Sequence, residues 1–577
     1  MPPALSTTTR RPHAGPLAAL LAPTGAALLL AAPAHAQVNT GGIGFGNILP
    51  NFGVDATNGD LRSQLESFLN PAASTVARPA FRVTPSIDGS IGATDNALRV
   101  HTPRRADLFT VIAPAITVSG DTRLLQVNLS YNPNIVLYAQ NSSQNQVYQY
   151  FNGQAQATIV PDAVFVDLRG NITESSLTGG FNQPQSQSLN PNNTVQTITV
   201  EASPYVTHRF GGYGSGELRY TIARSLQSDN GNQVNNPATA LNFGQAGVGS
   251  LGNLTTQTES ASFTSGEDLG RFQDNFTAAA TQYAGTGSYR GAYRNEIQNE
   301  VGLAINRTVT ALAGFGYQDL SYNGTPGYRL NAGTYNVGIR YHPSPDADVT
   351  VIYGRHDGGT QVEFDGEYAP TARTRLVAQY TTGITTDLQQ SQNFLNNTAV
   401  GTTGFVTGAN GAPVLNTGFN GVQNNVYRLN RFSASFSFLQ ERDTYSLNVS
   451  NENRKSLTSA PTLVGNAVVP AGTSTNSTFG TVTWQHDLAP NTNLVASADY
   501  GISTNTGQFI GTGSQDTRTV QASAAVNHTF TETVSGSVRY TYTNQSGNTF
   551  NQFNSFTGFN TGSYSENVLL LTLHKSF

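Results

Sequence analysis

The sequence predicts an all-β protein, in which a single large antiparallel transmembrane β-barrel is built from about 22 strands, within a range of about 18 to 24. Three observations carry this prediction. Segments with apolar residues at every second position recur along most of the chain, short and long connections alternate between them, and the last segment is a strand with one apolar side. Closure is expected because it leaves no strand edge with unpaired backbone groups in the hydrocarbon.

The first 36 residues have the pattern of a secretory signal peptide. Arg10 and Arg11 precede an apolar run from Leu17 to Ala32, and Ala34-His35-Ala36 matches a small-x-small cleavage site. Pro12 follows the arginine pair at a position where a twin-arginine signal needs an apolar residue. The pattern therefore favours Sec export for residues 1–36.

Residues 37–80 form a separate N-terminal segment with a different pattern. Asp60 to Leu69 is predicted to be a short helix with its apolar residues on one side, and Pro71 ends it. Two interpretations remain open for this segment: a small plug or periplasmic contact helix, or a linker with one or two helical turns. The barrel domain is predicted to occupy residues 81–577.

Composition excludes several classes of protein. Charged residues make up 11% of the chain, against about 25% in ordinary soluble domains. Cysteine is absent, which excludes disulfides, thiolate metal sites and a lipidated cysteine. The formal net charge of -5 is not that of a nucleic-acid-binding protein. After residue 36, no apolar run reaches the roughly 20 residues of a transmembrane helix, so a membrane protein of this sequence must be a barrel.

Period-two alternation begins near Phe81 and continues to the end of the chain. Val337 and Ile339, for example, share one side of a predicted strand, while Arg340 and His342 share the other. No helix produces this pattern, and it indicates one wall facing lipid and one facing water. The predicted strands start near residues 82, 107, 122, 146, 163, 194, 212, 253, 270, 288, 308, 330, 347, 359, 372, 426, 443, 476, 492, 517, 533 and 566.

The connections between these segments alternate in length. The connection after each even-numbered segment is a short turn. Long stretches rich in Asn, Gly and Ser follow odd-numbered segments, and they include residues 171–193, 228–252, 388–425, 457–475 and 544–563. Short periplasmic turns and long extracellular loops are the asymmetry of outer-membrane barrels.

The final strand carries a candidate assembly signal. Leu569, Leu571, Leu573 and Phe577 fall on one side, and Lys575 on that side can extend its ammonium into the headgroups. The strand resembles the terminal strand of bacterial outer-membrane barrels, in which a final Phe is part of the signal that the barrel assembly machinery reads. The resemblance implies a location in the outer membrane, with its lipids and that machinery as partners.

The densest group of charges flanks one predicted short turn. Glu363, Asp365 and Glu367 share one side of a strand, and a turn centred on Pro370 and Thr371 would place Glu367 opposite Arg375. We call the predicted group the charge ladder; it comprises Arg340, His342, Glu363, Asp365, Glu367, Arg373 and Arg375. Two interpretations remain open for the charge ladder. It either solvates the lumen wall and fixes the register of the strands, or it forms a constriction that sorts charged solutes or guides a polymer.

Enzymatic chemistry is not predicted. Carboxylates two residues apart on a strand lie about 7 Å apart, and Glu363, Asp365 and Glu367 have no histidine or metal-ligand pattern beside them. This arrangement argues against glycosidase chemistry. The same three carboxylates could bind calcium, but their pattern is not specific to a calcium site. His356-Asp357 is followed by two glycines and is interpreted as a hairpin tip, not a site. The sequence has no P-loop, dinucleotide fingerprint or zinc spacing. No cofactor or metal is therefore predicted.

Three stretches of the first third of the barrel carry a resemblance to a known family. They are Val83-Thr84-Pro85-Ser86-Ile87 with Thr94-Asp95-Asn96, Ile112 to Gly120, and Asn141 to Gln146. Over about residues 81–175 the chain resembles the opening of a family of outer-membrane β-barrels associated with the PEP-CTERM protein-sorting and exopolysaccharide system. The resemblance brings no catalytic residues, and it implies an outer-membrane location and a link to polysaccharide export.

Three functional hypotheses follow. The first is a porin-like channel or transport protein of a Gram-negative outer membrane, with a polar lumen that passes small polar solutes or a polysaccharide. The alternative is a membrane-anchored structural or interaction protein that presents long surface loops. A secreted β-rich adhesin is the third. A TonB-type receptor is disfavoured, because residues 37–80 are far fewer than the plug domain of such receptors.

Overall fold

A computed structural model of the protein describes residues 81–176, 194–228, 252–324, 326–401, 406–408, 422, 425–458, 461–464, 467–470, 474–506, 515–547 and 563–577. The predicted signal peptide, residues 1–36, and the predicted N-terminal segment, residues 37–80, lie outside the described residues. The first described strand begins at Phe81.

One closed antiparallel sheet of 22 strands forms the barrel. Its strands are β1 (Phe81–Thr94), β2 (Asp107–Asp121), β3 (Leu125–Tyr138), β4 (Gln146–Val160), β5 (Val164–Ser176), β6 (Thr194–Arg209), β7 (Gly214–Ser228), β8 (Asn253–Ser265), β9 (Phe272–Gly285), β10 (Tyr293–Ala304), β11 (Val309–Tyr322), β12 (Tyr328–Ser344), β13 (Ala347–His356), β14 (Gly359–Thr371), β15 (Thr374–Thr385), β18 (Tyr427–Leu439), β19 (Asp443–Ser456), β22 (Ser474–Ala489), β23 (Thr492–Thr506), β24 (Gln515–Thr531), β25 (Val534–Gly547) and β26 (Tyr564–Ser576).

Three smaller features lie in the connections on the long-loop side. They are a helix, α1 (Asp387–Asn397), and two hairpins, β16 (Thr398–Val400) with β17 (Val406–Gly408) and β20 (Pro461–Val464) with β21 (Ala467–Pro470). Among the described residues, no helix has the length and apolar character needed to cross a membrane.

The last barrel strand closes the ring against the first. Strand β26 pairs with β1 from Ser86↔Ser576 to Thr94↔Val568, so the sheet has no free edge strand. The predicted fold class and the number of 22 strands are confirmed. The largest error in a predicted strand start is at β10, which begins at Tyr293 and not near residue 288. Gly287–Tyr289 forms a 3-10 turn there, and Gly291 has a positive φ of 69°.

The two faces of the wall differ as the alternation predicted. Val337 and Ile339 on the outer face are each 55% exposed, and large apolar side chains at comparable positions surround the barrel. On the closing strand, the predicted assembly-signal residues Leu569, Leu571 and Leu573 also lie on this outer face. The inner face carries mostly polar side chains, so the barrel is apolar outside and polar inside.

Two glycines, on β11 and β13, lie against the backbone of a neighbouring strand. A Cβ added to Gly316 would collide with the backbone carbonyl of Ile297 on β10, and one added to Gly354 would collide with the carbonyl of Tyr335 on β12. Neighbouring backbone therefore approaches the inner face more closely than any side chain permits. Glycine at these positions allows this close approach.

Most connections follow the predicted asymmetry, and the connection between β13 and β14 is a clear exception. The turn between β13 and β14, on the long-loop side, consists of Asp357 and Gly358 alone, whose φ values are 51° and 74°. Two positive φ angles are typical of the tight turn whose twist matches a β-hairpin. The predicted hairpin tip is therefore present at this position.

Candidate functional site: the lumen and the helix that crosses it

Helix α1 begins directly where β15 ends, because Thr386 caps it. The Thr386 hydroxyl accepts a hydrogen bond of 3.2 Å from the backbone N–H of Gln389, and Asp387 places a carboxylate in the first turn. A Thr-x-x-Gln sequence at a helix start is a capping box, and acidic residues favour the positive end of the helix dipole. We predicted an extracellular loop over residues 388–425. This prediction was wrong for its first part, and the capping box is the signal that would have revealed the helix.

Contacts at its two ends show that α1 lies across the interior of the barrel. Its first residue, Asp387, contacts Arg454 of β19 at 3.1 Å. Near its other end, Asn396 donates a hydrogen bond of 3.2 Å to Glu201 of β6. Strands β6 and β19 are separated by about half of the ring. The helix itself spans about 16 Å, and the contacts of Asp387 and Asn396 join it to strands on opposite sides of the ring.

At its N-terminal end, α1 is held by an alternating chain of charges, which we call the N-terminal anchor: Arg431, Glu452, Arg454, Asp387 and Tyr427. The Glu452 carboxylate contacts both Arg431 and Arg454, and Asp387 contacts both Arg454 and the Tyr427 hydroxyl. The side chain of Glu452 is fully buried and that of Arg454 is 4% exposed. Buried charges persist only when they are paired, and here each finds an opposite partner.

At its C-terminal end, α1 is held by a second group, the C-terminal anchor: Arg169, Asp167, Glu201 and Asn396. The Arg169 guanidinium donates to the backbone carbonyls of Leu395 and Thr398 and pairs with Asp167 at 2.8 Å. A cation beside the last carbonyls of a helix stabilises it through the helix dipole. Asp387 of the helix itself therefore compensates the N-terminal pole, and Arg169 of the barrel wall compensates the C-terminal pole.

Side chains along α1 also bond to the wall between the two anchors. Gln389 donates to the Tyr322 hydroxyl at 2.9 Å, and Gln392 accepts from the Thr256 hydroxyl at 2.7 Å. The buried side chain of Leu388 joins an apolar cluster on the same side of α1. This cluster also contains Leu254, Tyr283, Tyr289, Ala292, Leu320, Tyr322, Ile384 and Val426.

The turn at Asp357 fixes the point from which α1 departs. The Asp357 carboxylate contacts Arg294 at 3.0 Å and accepts from the backbone N–H of Ile384 at 2.8 Å. Pairing between β14 and β15 ends at Phe364↔Tyr380, so this carboxylate takes the place of a missing strand bond. Burial acts to raise the pKa of Asp357, but the Arg294 guanidinium, His356 and the hydrogen bond from Ile384 together outweigh it, and the pKa lies below its ordinary value.

The same turn brings three potential metal ligands together. Side-chain atoms of Glu296, His356 and Asp357 lie within 4.8 Å of one another. Arg294 contacts the carboxylates of both Glu296 and Asp357. Because a guanidinium already supplies the positive charge between these carboxylates, the geometry is that of an ion-pair cluster.

The carboxylates of the charge ladder lie on β14 as predicted. Glu363, Asp365 and Glu367 alternate with outer-face residues such as Val362 and Tyr368, which are 44% and 50% exposed. The ladder carboxylates therefore share the inner face of this strand.

The basic residues of the ladder lie partly where they were predicted. The ion pair between Glu367 and Arg375 is present, although the turn uses residues 372–373 instead of Pro370 and Thr371, with a register shift before it. Arg373 therefore sits in the exposed turn itself. Arg340 on β12 pairs with Asp348, and His342 lies 3.6 Å from the same carboxylate. Asp348 was not predicted to belong to the charge ladder, because a single acidic residue on β13 is not part of a recognisable charge pattern in the sequence.

No family model matches the sequence, and no curated protein matches it. Solved structures do. The siderophore receptor PirA from Pseudomonas aeruginosa is 12% identical with a TM-score of 0.37, over 87% of this chain and 82% of that one. OccK2 (OpdF) from Pseudomonas aeruginosa, in complex with glucuronate, is 8% identical with a TM-score of 0.33, over 86% and 98%. The FrpB iron transporter from Neisseria meningitidis is 10% identical with a TM-score of 0.45, over 88% and 83%.

Proposed function

We propose that the protein is an outer-membrane transport barrel whose lumen is constricted by α1 and which passes polar solutes. The observation that carries this proposal is the position of α1, bound to opposite walls through Arg454 and Arg169. A helix fixed across a polar lumen narrows the path through the barrel without closing that path. Solute size and charge are then selected at the constriction.

Two features support the proposed location in the outer membrane. The outer face presents large apolar side chains around the ring, and a closed sheet satisfies its backbone internally, as hydrocarbon requires. The predicted signal peptide, residues 1–36, would deliver the chain through Sec. The apolar face of Leu569, Leu571 and Leu573, with Phe577 beyond it, would be read by the barrel assembly machinery.

The solute is proposed to be polar and hydroxyl-rich or charged. The charge ladder provides partly exposed charges in the lumen, since the Arg340 side chain is 48% exposed and that of Glu367 is 37% exposed. The link to exopolysaccharide export rests on the resemblance of residues 81–175 alone. We propose no enzymatic activity and no cofactor.

Single-channel conductance in a planar bilayer tests this function. We expect the refolded, signal-free protein to show small or intermittent conductance. Replacement of residues 387–397 by a flexible Gly-Ser linker should produce a steady conductance that is several-fold larger. Asp443→Ala is a matched control, because Asp443 pairs with His486 near a short turn and away from α1. Absence of conductance in both variants would contradict transport and favour the hypothesis of a membrane-anchored interaction protein with long surface loops.

A further inference from the structure

Four polar side chains lie on the outer face of the barrel at a level where most of that face is apolar. They are Gln257 and Glu259 of β8, Gln282 of β9 and Asn295 of β10. Gln257, Glu259 and Gln282 are exposed, and Asn295 is half-buried. We call these four residues the outer polar patch.

The outward direction of the patch follows from the neighbours of its residues along β8. Leu254 belongs to the buried cluster beside α1, and the Thr256 hydroxyl donates to Gln392 of α1, so the even-numbered residues of β8 face the lumen. Successive side chains of a strand point to opposite faces. Gln257 and Glu259 therefore face away from the lumen.

The patch is continuous across the three strands. Gln257 pairs with Gln282, and Ala280 pairs with both Glu259 and Asn295. Cross-strand neighbours on one face have Cβ atoms about 5 Å apart. The four polar side chains therefore lie around one small residue, Ala280, and share one surface.

Glu259 lies at the level of the hydrocarbon. It is the central residue of β8, which runs from Asn253 to Ser265, and about 9 to 11 residues of a tilted strand cross a bilayer. Outer-face residues near the middle of other strands are apolar, such as Val337 of β12 and Leu571 of β26, which are 55% and 51% exposed. A carboxylate that faces lipid at this depth is costly.

The chain itself provides no partner for the patch. Within the part of the chain that the structure describes, the side chains of the four patch residues make no hydrogen bond and no ion pair. Polar residues elsewhere on the same two strands are paired, since Asn299 of β10 donates to Asp274 of β9 at 2.9 Å. Lipid chains offer no donor or acceptor. The missing partner must therefore belong to another molecule in the membrane.

The patch complements a second copy of itself. An amide side chain both donates and accepts, so the amides of one copy can donate to Glu259 of the other and bond to each other. Arg224 of β7 lies beside the patch, opposite Thr255. It is exposed and has no ion pair among the described residues, so Arg224 and Glu259 give this surface one charge of each sign. The surface also holds small side chains, which let two walls approach closely: Ala261, Ala278 and Ala280.

We propose that two copies of this chain associate in the membrane through the outer polar patch, around a two-fold axis along the membrane normal. In such a contact both copies use the same surface, so each Glu259 meets amide groups and leaves the lipid. The inference rests on the outer-membrane location proposed above. It does not depend on α1 or on an open lumen, because the patch lies on the other side of the wall.

Counting photobleaching steps of single molecules tests the association. The chain has no native cysteine, so Glu532→Cys, in the exposed turn before β25, can carry one fluorophore without touching the patch. The labelled protein is folded into liposomes at a large excess of lipid, with and without the double change Gln257→Leu and Glu259→Leu. Arg518→Leu is the matched control, because it replaces an exposed charge on the outer face of β24, across the ring from β9.

After correction for incomplete labelling, we expect most spots to bleach in two steps in the native sequence and after Arg518→Leu. The double leucine variant removes polar groups that lipid does not accommodate, so its two-step fraction should fall several-fold, with an unchanged heat-dependent shift in gel mobility. One-step bleaching of the native sequence would overturn the proposal and leave the patch for a different membrane protein. Two-step bleaching that persists in the double leucine variant, or three-step bleaching, would also overturn it.

A distance measurement locates the contact without changing the patch. A nitroxide at Glu267→Cys lies in the turn between β8 and β9, below the patch, whereas one at Glu532→Cys lies across the ring. We expect dipolar coupling between copies for the Glu267→Cys label and none for the Glu532→Cys label. Coupling at neither position, at Glu532→Cys alone, or of equal strength at both would overturn the proposal. If native single-channel conductance accompanied that result, the dimer would fail and the proposed transport function would stand.

Discussion

The N-terminal anchor of α1 and the charge ladder are two groups of ion pairs inside one barrel, and they differ in exposure. Glu452 in the anchor is fully buried and contacts two arginines. Glu367 in the ladder is 37% exposed and contacts Arg375, whose side chain is 8% exposed. Water reaches the Glu367 carboxylate and can replace its partner, but it does not reach Glu452. The same chemistry therefore serves different purposes, structural in the anchor and open to solutes in the ladder.

The largest expected effect comes from breaking the anchor. Glu452→Ala leaves the guanidinium groups of Arg431 and Arg454 buried beside each other without their shared carboxylate. Removal of one partner from a buried ion pair costs about 3 to 5 kcal/mol. We expect a loss of this size in the free energy of unfolding, measured by urea denaturation in lipid vesicles. A loss below about 1 kcal/mol, the value for an exposed pair, would show that the anchor is solvated.

A second substitution compares the two faces of the closing strand. Leu571→Arg places a charge on the lipid face near the middle of β26, whereas Thr572→Arg places it on the lumen face. A charge at the midplane costs about 2 to 4 kcal/mol on the lipid face of a barrel. We expect the yield of folded barrel, measured by heat-modifiable mobility on gels, to fall only for Leu571→Arg. Equal yields would contradict the assignment of the faces at this strand.

A smaller effect is expected at the start of α1. Thr386→Ala removes the cap that accepts a hydrogen bond from Gln389, and loss of an N-cap costs about 1 kcal/mol. Because the two anchors remain, we expect α1 to detach more often without being lost, which should appear as more frequent conductance steps at unchanged step height. Thr386→Ser is the control and should keep the native frequency. Identical traces for all three proteins would exclude a role of the cap in gating.

The smallest effect on stability is expected in the charge ladder. Glu367→Gln removes the charge of a partly exposed carboxylate, and the amide oxygen can still accept from the buried guanidinium of Arg375. We therefore expect a loss of about 0 to 1 kcal/mol, the range for an exposed pair. The effect of this substitution on transport should be larger than its effect on stability, because it removes one negative charge from the lumen wall. We expect the reversal potential in a salt gradient to shift toward anion selectivity, with Glu441→Gln in the exposed turn before β19 as the control. An unchanged reversal potential would place the ion path elsewhere.

Strand positions and faces were predictable because both are local properties. The alternation of Val337 and Ile339 with Arg340 depends on neighbouring residues alone, and so does the apolar side of β26. The ion pair of Glu367 with Arg375 was predictable for the same reason, since a short turn separates the two residues. These features needed no knowledge of how distant strands are arranged.

The path of α1 was not predictable in this way. Its C-terminal anchor joins Arg169 to the carbonyl of Leu395, across a separation of 226 residues. An Asn- and Gln-rich stretch is equally compatible with a surface loop, and only the closed ring brings β5 and β6 close to it. The capping box at Thr386 indicated a helix, but its position inside the barrel depends on contacts that sequence spacing does not encode.

A short thiol-to-thiol cross-link between α1 and the wall tests the central claim most directly. Thr256→Cys with Gln392→Cys replaces two side chains that share a hydrogen bond of 2.7 Å. A direct disulfide needs Cβ atoms about 3.8 Å apart, so a bis-methanethiosulfonate with an ethylene spacer takes up the length that the glutamine side chain occupied. We expect this reagent to join the two cysteines in the folded protein and to keep conductance low at all voltages until a reductant is added. Failure to cross-link in a correctly folded barrel, or a large steady conductance with the cross-link intact, would contradict a helix that constricts the lumen.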